Sequence, residues 1–333
     1  MNHSTVKSFT FGIGLFFTLP LVYGNSSSPS SSDGTLYINK SKTHKVAPVK
    51  YGFHYEEIGM MGEGALHAEL IRNRSFEEAT PPAGLSVKNG LYENVPAPRV
   101  KEKKVFQADP LIGWTTYPLS YTPVFISRTD ENPMSGENKY SMLVNVTEDI
   151  ANHPDALILN RGYYGMNLKT DTSYRLSLFL KNRNYSAPLR VFLVDEWGQR
   201  VSNVIEVNVG NRDWTKYTGE LKPEKNVRRG MFAIQPMSKG QFQIDVVSLF
   251  PSDTWNDGKS VFRKDIVQNL KEFSPSFIRF PGGCIVHGVN EETMYHWKKT
   301  LGPIENRPGQ WSKWAPYYRT DGIGYHEFYE LCE

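Results

Sequence analysis

The chain has 333 residues, a formal net charge of +3 and 22% charged residues. Its length allows two domains, and its small, dispersed charge argues against a nucleic-acid-binding protein. Aromatic residues make up 13% of the chain, which is typical of proteins that bind neutral stacking ligands such as sugars, although aromatic side chains more often fill a core.

The first 24 residues have the features of a secretory signal peptide. Lys7 supplies positive charge, an apolar run follows from residue 9 to residue 22, and Gly24 ends a passable cleavage site. The apolar run is shorter than the roughly 20 residues that a transmembrane helix needs. Residues 25–45 hold a Ser-rich linker and a leading strand. We therefore expect an exported protein, extracellular or in the cell envelope or periplasm, with no transmembrane segment.

A strand is predicted at residues 46–55, and it runs directly into Glu56 and Glu57. Because neighbouring side chains of a strand point to opposite faces, these two carboxylates should face different ways. An inward-facing carboxylate would need a partner such as a ligand hydroxyl. A solvated pair of loop acids is the simpler alternative. The spacing of apolar residues in 65–72 (ALHAELIR) then predicts a short amphipathic helix.

Short alternating runs fill the segment from about residue 85 to residue 253. Examples are residues 141–146 (SMLVNV), 174–180 (YRLSLFL) and 189–194 (LRVFLV), with turn-forming breaks between them. Alternation of period two and frequent turns predict an antiparallel β-sandwich.

A second α/β segment follows the sandwich. Residues 263–273 predict a helix, and residues 277–288 (FIRFPGGCIVHG) predict a short strand ended by Pro281 and a Gly-rich loop carrying Cys284 and His287. In barrels, loops after strands carry the chemistry, but a tight turn without a ligand is an equal alternative from this motif alone. Near the end of the chain, Asp321 is expected to cap a further helix.

The sequence gives little support for a disulfide or for a metal site. The two cysteines, Cys284 and Cys332, could form a disulfide in an exported chain, but we expect two free and largely buried thiols. No Cys/His cluster has the spacing of metal ligands, so neither a metal site nor another cofactor is predicted.

Three blocks of sequence carry a specific resemblance. They are residues 51–59 with 64–77 (YGFHYEEIG and GALHAELIRNRSFE), residues 279–284 (RFPGGC), and residues 297–309 with 320–332 (WKKTLGPIENRPG and TDGIGYHEFYELC). In this order they resemble the front part of the α-L-arabinofuranosidases of glycoside hydrolase family 51. The resemblance extends from about residue 46 to the end.

The resemblance implies the N-terminal part of a (β/α)8 TIM barrel with an inserted β-sandwich. The sandwich, residues 85–253, is similar to the jelly-roll, carbohydrate-binding-module-like domain of longer family members. Residues 46–84 would begin the catalytic barrel and residues 254–333 would continue it.

Site residues are carried over from the same resemblance. Glu56 matches the glutamate that holds arabinose hydroxyls, Cys284 matches a loop residue that contacts the sugar, and Arg279 would support the floor of the site. Glu57 is expected to be unremarkable. Tyr163 and Tyr164 are candidates for stacking on sugar in the sandwich.

The implied reaction is removal of terminal α-L-arabinofuranosyl residues from arabinoxylan, arabinan or related oligosaccharides by a retaining, two-glutamate mechanism. In the family, both catalytic glutamates lie in regions that would follow residue 333, so no catalytic residue is assigned and the chain alone is expected to be inactive. A barrel needs about 250 residues, and the chain supplies roughly two of its eight units. The alternative function is a non-catalytic secreted carbohydrate-binding protein.

Overall fold

Antiparallel β-sheet dominates the part of the chain that the structure describes. The computed structural model describes residues 51–79, 86–89, 91–93, 106–107, 109–288, 291, 293–312 and 317–333, together with Asn39 and Ser41. Ser41 donates hydrogen bonds from its backbone N–H and its hydroxyl to Asn39 Oδ1, at 3.0 and 2.6 Å. The predicted signal peptide, and the predicted linker apart from these two residues, lie outside the described residues.

The strands and helices have the following bounds. The strands are β1 Phe53–His54, β2 Ser86–Lys88, β3 Leu91–Glu93, β4 Phe106–Gln107, β5 Trp114–Tyr117, β6 Val124–Thr129, β7 Ser141–Val146, β8 Leu157–Asn160, β9 Met166–Leu168, β10 Tyr174–Asn182, β11 Pro188–Val194, β12 Ile205–Asn208, β13 Thr215–Leu221, β14 Val227–Gln235, β15 Gly240–Pro251, β16 Ile278–Arg279, β17 Gln310–Ser312 and β18 Tyr317–Arg319. The helices are α1 Lys264–Glu272, α2 Cys284–His287 and α3 Tyr325–Cys332.

Two large antiparallel sheets form the sandwich. The first has the strand order β13-β10-β15-β7-β6, and the second has the order β12-β11-β14-β8-β5, with β9 pairing on β14. A smaller sheet of β2, β3 and β4 precedes them in the chain. The two sheets are consistent with the antiparallel β-sandwich that the sequence alternation predicts.

One hydrophobic core joins the inner faces of the two sheets. Along β10, Tyr174, Leu176 and Leu178 are buried at every second position, as expected for a strand with one face in the core. Phe232 of β14 and Phe242 of β15 belong to the same cluster and are fully buried. Burial of this apolar surface is the main stabilising contribution to the sandwich.

A parallel strand pair lies outside the sandwich. Phe53 of β1 is in register with Ile278 of β16, and Tyr55 N–H donates to the carbonyl of Arg279 at 2.9 Å. The prediction that the strands before and after the sandwich are parallel neighbours is confirmed. The regular strands are only two residues each, shorter than the described parts of the predicted ranges; residues 46–50 of the first predicted strand lie outside the described residues.

The chain enters and leaves the sandwich through a neck formed by residues 66–68 and 261–263. Ala68 N–H donates to the Val261 carbonyl at 2.8 Å, and Arg263 N–H donates to the Leu66 carbonyl at 2.9 Å. The predicted helix at residues 65–72 is therefore wrong. An irregular turn, Gly62–Leu66, with non-helical backbone at Glu63 and Gly64, leads into this segment, and the backbone that follows pairs with other segments instead of with itself.

The C-terminal helices pack against the parallel pair. Phe328 of α3 stacks on Phe280 with ring centroids 3.9 Å apart, and Val267 of α1 belongs to the same cluster. The prediction that Asp321 caps the last helix is wrong. Gly324 occupies the N-cap position, and its N–H donates to Glu327 Oε2 at 2.7 Å.

Both cysteines are free thiols, as expected. Cys284 is half-buried, but Cys332 is exposed at the end of α3, so the expectation of two buried thiols is wrong for Cys332. Among the helices of the described ranges, none is both long and apolar enough to cross a bilayer.

We predict that truncating a core aromatic residue of the sandwich destabilises the protein strongly. Phe232→Ala removes a fully buried ring and leaves a cavity, so the free energy of unfolding should fall by about 3–5 kcal/mol. Urea denaturation followed by tryptophan fluorescence measures this change. The matched control is Phe125→Ala on β6, whose side chain is 56% exposed and whose truncation should change stability little. Equal effects of the two substitutions would contradict the assigned core.

Candidate functional site

Glu56 lies where the parallel strand pair ends. Its Oε1 accepts hydrogen bonds from the backbone N–H groups of Cys284 and Ile285, at 2.8 and 3.2 Å. The carboxylate is thereby fixed against the Gly-rich loop that follows β16. Both hydrogen bonds go to Oε1. Oε2 can therefore accept a hydrogen bond from a hydroxyl group of a ligand. His54 Nε2 lies 3.9 Å from Oε2.

Gly282 makes room for this carboxylate. Its backbone φ is +114°, a conformation that side chains rarely adopt. A Cβ built at this position would lie 2.4 to 2.6 Å from three carbon atoms of the Glu56 side chain. A glycine at position 282 is therefore needed for the close approach of the loop to Glu56.

Glu57 points away from Glu56 into a buried polar cluster. Its Oε2 accepts a hydrogen bond from the Tyr55 hydroxyl at 2.5 Å, and its Oε1 accepts one from the Tyr317 hydroxyl at 2.7 Å. Burial, and then the nearby charge of Glu63, raise the pKa of Glu57, although both tyrosines and Arg319 oppose the shift. The two adjacent glutamates therefore differ in environment, as strand geometry predicted.

Glu63 is a second buried carboxylate in this cluster, and its pKa moves in the opposite direction. Its Oε1 accepts from the N–H and hydroxyl of Thr320, at 3.1 and 2.6 Å, and His67 Nδ1 lies 3.6 Å from its Oε2. Burial opposes ionisation, but His67, Thr320 and Arg74 together outweigh it and lower the pKa of Glu63 to about 2. Glu63 therefore carries a negative charge at neutral pH.

The hairpin of β17 and β18 closes the cluster. Arg319 is buried, pairs with Asp321, donates to Gln310 Oε1 at 2.6 Å, and lies over the Tyr295 ring with its guanidinium carbon 4.9 Å from the centroid. These contacts fix Tyr317, which precedes Arg319 on the same strand and holds Glu57.

Little space remains on the buried side of the cluster. The cavity lined by Glu57, Tyr295 and Arg319 measures about 10 Å³, roughly the space of one water molecule. A sugar cannot enter there. The open side of the site is therefore that of Glu56 and the loop after β16.

The structure brings some of the sequence-predicted residues together. Glu56 and Cys284 meet at the ends of neighbouring parallel strands, as predicted, although the observed bond uses the backbone N–H of Cys284. Cys284 opens the short helix α2 instead of lying on an irregular loop. Arg279 is exposed, and its guanidinium lies next to Gly283, 3.3 Å from where a Cβ on that glycine would be.

The two tyrosines predicted to stack on sugar differ from each other. Tyr163 is half-buried, and its hydroxyl donates to Glu63 Oε2 at 3.2 Å. Its ring lies beneath Arg72, with the guanidinium carbon 5.7 Å from the centroid, and packs against Gly64. Tyr164 is 79% exposed. Tyr163 is therefore largely occupied by protein contacts, whereas the ring of Tyr164 is open to solvent.

Sequence reasoning missed the residues behind Glu56. Glu57 was expected to be unremarkable, yet its side chain is buried and bonded to two tyrosines. Tyr317 and Arg319 were not singled out. Strand alternation predicted only that Glu56 and Glu57 face different ways, and the partner of Glu57, Tyr317, lies 260 residues away with nothing local to link the two. Among the described residues, no group of three or more His, Cys, Asp or Glu side chains could hold a metal ion.

Comparisons with known proteins agree with the sequence resemblance. Residues 269–333 match the family model for the alpha-L-arabinofuranosidase 1 domain. Alpha-L-arabinofuranosidase 1 of Arabidopsis thaliana is 28% identical over 85% of this chain, and the match covers 38% of that protein. The extracellular exo-alpha-L-arabinofuranosidase of Streptomyces chartreusis is 27% identical over 85% of this chain and 31% of its own length. The recognition of the chain as a relative of the family 51 α-L-arabinofuranosidases is thus confirmed.

A solved structure supports the fold. The arabinose-bound MgGH51 α-L-arabinofuranosidase superposes with a TM-score of 0.70 over 88% of this chain, at 24% identity, and the match covers 43% of that chain. A probable alpha-L-arabinofuranosidase A of Aspergillus flavus is 26% identical over 96% of this chain and 44% of its own length. The chain therefore spans less than half the length of these relatives.

We predict that Gly282→Ala disturbs the site. The added methyl group collides with the Glu56 side chain and strains the backbone at φ +114°, so the variant should lose at least about 1 kcal/mol of stability. The change in the thermal unfolding midpoint measures this loss. Gly136→Ala is the matched control, because a Cβ at Gly136 would meet nothing within 4 Å. A Gly282→Ala protein as stable as the control would show that Glu56 is not held as described.

We further predict a pH-dependent effect of Glu57→Gln. The raised pKa of Glu57 means that the folded state holds the proton more tightly than the unfolded chain, whose ordinary value is 4.5. The resulting stabilisation is complete below that value and is lost as the pH rises through the folded pKa. Glutamine has no proton to lose, so the stability of the variant relative to the parent should increase between about pH 5 and pH 8. Urea midpoints across this range measure the difference.

The companion variant Glu63→Gln should behave differently. Since the pKa of Glu63 is lowered to about 2, its carboxylate stays ionised throughout the tested range. The variant should be less stable than the parent by an amount that does not change from about pH 5 to pH 8. A Glu57→Gln stability profile parallel to that of the parent would refute the raised pKa of Glu57.

Proposed function

We propose that this relative of the family 51 α-L-arabinofuranosidases supplies the sugar-binding edge of an exported glycosidase. The enzyme would remove terminal α-L-arabinofuranosyl residues from arabinoxylan, arabinan or related oligosaccharides. Supporting observations are the names of the curated relatives, one of which is described as extracellular. The predicted signal peptide supports export.

The observation that carries the proposal is the fixed carboxylate of Glu56. It is held by the N–H groups of Cys284 and Ile285 at the end of two parallel strands, and neither of these bonds uses its second oxygen. In barrel enzymes, substrates bind at this end of the strands. A carboxylate oxygen held in this way can accept hydrogen bonds from sugar hydroxyls. Arg279 and the loop around Cys284 would line the same edge.

The strand pair would belong to a (β/α)8 barrel, and the sandwich would be an inserted jelly roll. Parallel strands normally have both faces covered by other elements. Here β1, β16, α1 and α3 border a groove of about 230 Å³ lined almost entirely by apolar side chains such as Phe53, Leu270 and Leu331. A surface of this kind is suited to packing against further elements of a barrel.

The chemistry would follow the retaining mechanism. One glutamate attacks the anomeric carbon while a second protonates the leaving oxygen and then activates water, with the two carboxyl groups about 5 Å apart. Glu305 and Glu327 have structural roles instead, because Glu305 pairs with Lys216 at 3.2 Å and Glu327 pairs with Arg307 at 2.6 Å. The role we assign to Glu56 is substrate binding, and the attacking and proton-donating groups are not assigned within these residues.

The test compares hydrolysis by the full reading frame with hydrolysis by the 333-residue chain, and then measures the effect of a substitution at Glu56. The full reading frame that contains these 333 residues should hydrolyse a chromogenic α-L-arabinofuranoside, whereas the 333-residue chain alone should show no turnover. In the active protein, Glu56→Gln should lower kcat/KM by about ten- to a hundred-fold, because one charge-assisted hydrogen bond to the sugar is weakened. Glu196→Gln on an exposed turn of the sandwich is the matched control and should leave kcat/KM unchanged.

Two outcomes would contradict this proposal. Turnover by the 333-residue chain that disappears on substitution of Glu291, Glu292, Glu305 or Glu327 would place the chemistry elsewhere. Saccharide binding without hydrolysis by the full reading frame would instead favour the alternative function, a secreted carbohydrate-binding protein.

A further inference from the structure

A cleft separate from Glu56 lies where the sandwich meets the neck. It has a volume of about 350 Å³ and is bordered by residues 67–70 of the neck region, residues 163–169 of the sandwich, and the start of α1. This volume is within the range of small-molecule sites. Glu56, Cys284 and Arg279 are not among its lining residues.

Two buried polar side chains that line the cleft each carry one atom without a hydrogen-bond partner within the described part of the chain. The Thr254 side chain is 1% exposed, and its hydroxyl makes no hydrogen bond. His67 is also 1% exposed; its Nδ1 faces the Glu63 carboxylate, with Oε2 3.6 Å away, whereas its Nε2 has no hydrogen-bond partner among the described residues. Buried polar groups are normally satisfied, so unpaired ones at a cleft indicate that a ligand or water completes them.

The charges around the cleft are balanced. Its lining includes three basic and three acidic side chains: Lys169, Arg263, Lys264, Glu69, Asp253 and Asp265. Two of them, Arg263 and Asp265, pair directly, with Nη2 and Oδ2 2.5 Å apart. Such a lining offers hydrogen-bond donors and acceptors without a net attraction for anions or cations. A neutral, hydroxyl-rich ligand fits it better than a charged one.

An exposed aromatic ring completes the set of groups. Tyr164 lines the cleft and is 79% exposed, so its ring face is free to pack against the apolar face of a sugar. Asn167 adds an amide beside it. An exposed aromatic ring, an amide, an unpaired buried hydroxyl and one unpaired imidazole nitrogen together match the chemistry of a saccharide.

We propose that this cleft is a second saccharide-binding site, which holds a short neutral segment of the polysaccharide chain with Tyr164 as the stacking surface and with Thr254 and His67 as hydrogen-bonding groups. The choice of a pentose-based ligand rests on the proposed function, whereas the existence of the site rests on the cleft itself. The site would keep the enzyme on its polymer while the Glu56 edge handles the terminal sugar.

Binding of an arabinose-branched xylo-oligosaccharide to the 333-residue chain tests the proposal by calorimetric titration. The Glu56→Gln variant is used as the parent. Binding at the Glu56 edge is then weakened, and the titration reports the affinity of the cleft. This parent should bind saturably, and adding Tyr164→Ala should weaken its affinity at least tenfold. The matched control is Tyr121→Ala, which removes a tyrosine that is 56% exposed and lies outside the cleft; it should leave the affinity unchanged.

A second variant separates binding from stability. Thr254→Val replaces an unpaired hydroxyl by a methyl group of similar shape, so urea stability without ligand should be unchanged or higher, while the affinity for the oligosaccharide falls several-fold. Equal affinity of the Tyr164→Ala protein and its parent would overturn the proposal. So would the absence of saturable binding to the folded parent. Hydrolysis by the full reading frame is measured separately, and its failure would affect only the proposed function.

Discussion

The hydrogen bonds between the Glu56 carboxylate and the loop after β16 join parts of the chain that are 228 residues apart in sequence. They form only if β1 and β16 are adjacent and parallel, because only then do the ends of both strands reach the same edge. They also require Gly282, whose missing side chain leaves room for the carboxylate. The geometry of the site therefore depends on the pairing of two very short strands.

Two buried carboxylates behind Glu56 show how environment decides protonation. Glu57 has hydroxyl partners only, and these do not offset burial and the charge of Glu63, so its pKa rises. Glu63 has the His67 ring and Thr320 beside it, and its pKa falls to about 2. Raising the pKa of one of two nearby acids lessens the repulsion that two buried negative charges would have.

Much of the fold could be predicted from the sequence because it is encoded locally. The alternation of Tyr174, Leu176 and Leu178 along β10 indicates one buried face, and the observed sheet has that face in the core. The helix predicted at residues 65–72 failed for a related reason. Its apolar spacing arises from contacts with several segments, as when Leu70 N–H donates to the Leu249 carbonyl of β15 at 3.1 Å. The helical spacing of apolar residues alone cannot distinguish a helix from an extended segment whose apolar residues contact several other segments.

The sequence predicted only those site residues that lie in recognisable motifs. Glu56 and Cys284 lie in the sequence blocks that carry the resemblance, and strand order then placed them together. The surroundings of Glu57 could not be predicted, because the hydroxyl that holds it belongs to Tyr317 on a distant hairpin. The cleft beside Tyr164 likewise depends on how the sandwich meets the neck. Contacts between remote segments have no local signature in the sequence.

The neck explains how a large sandwich can be placed between two strands that must remain neighbours. The free-energy cost of closing a flexible loop grows only slowly with the length of the loop. A flexible connection does not, however, fix the positions of its two ends. Here the entering and leaving chains pair directly, with His67 bridged to Phe262 in antiparallel fashion. The same pairing continues to β15, where Val247 N–H donates to the Arg74 carbonyl at 2.9 Å. The sandwich thus returns the chain close to where it left, and β16 can align with β1 whatever the sandwich itself binds.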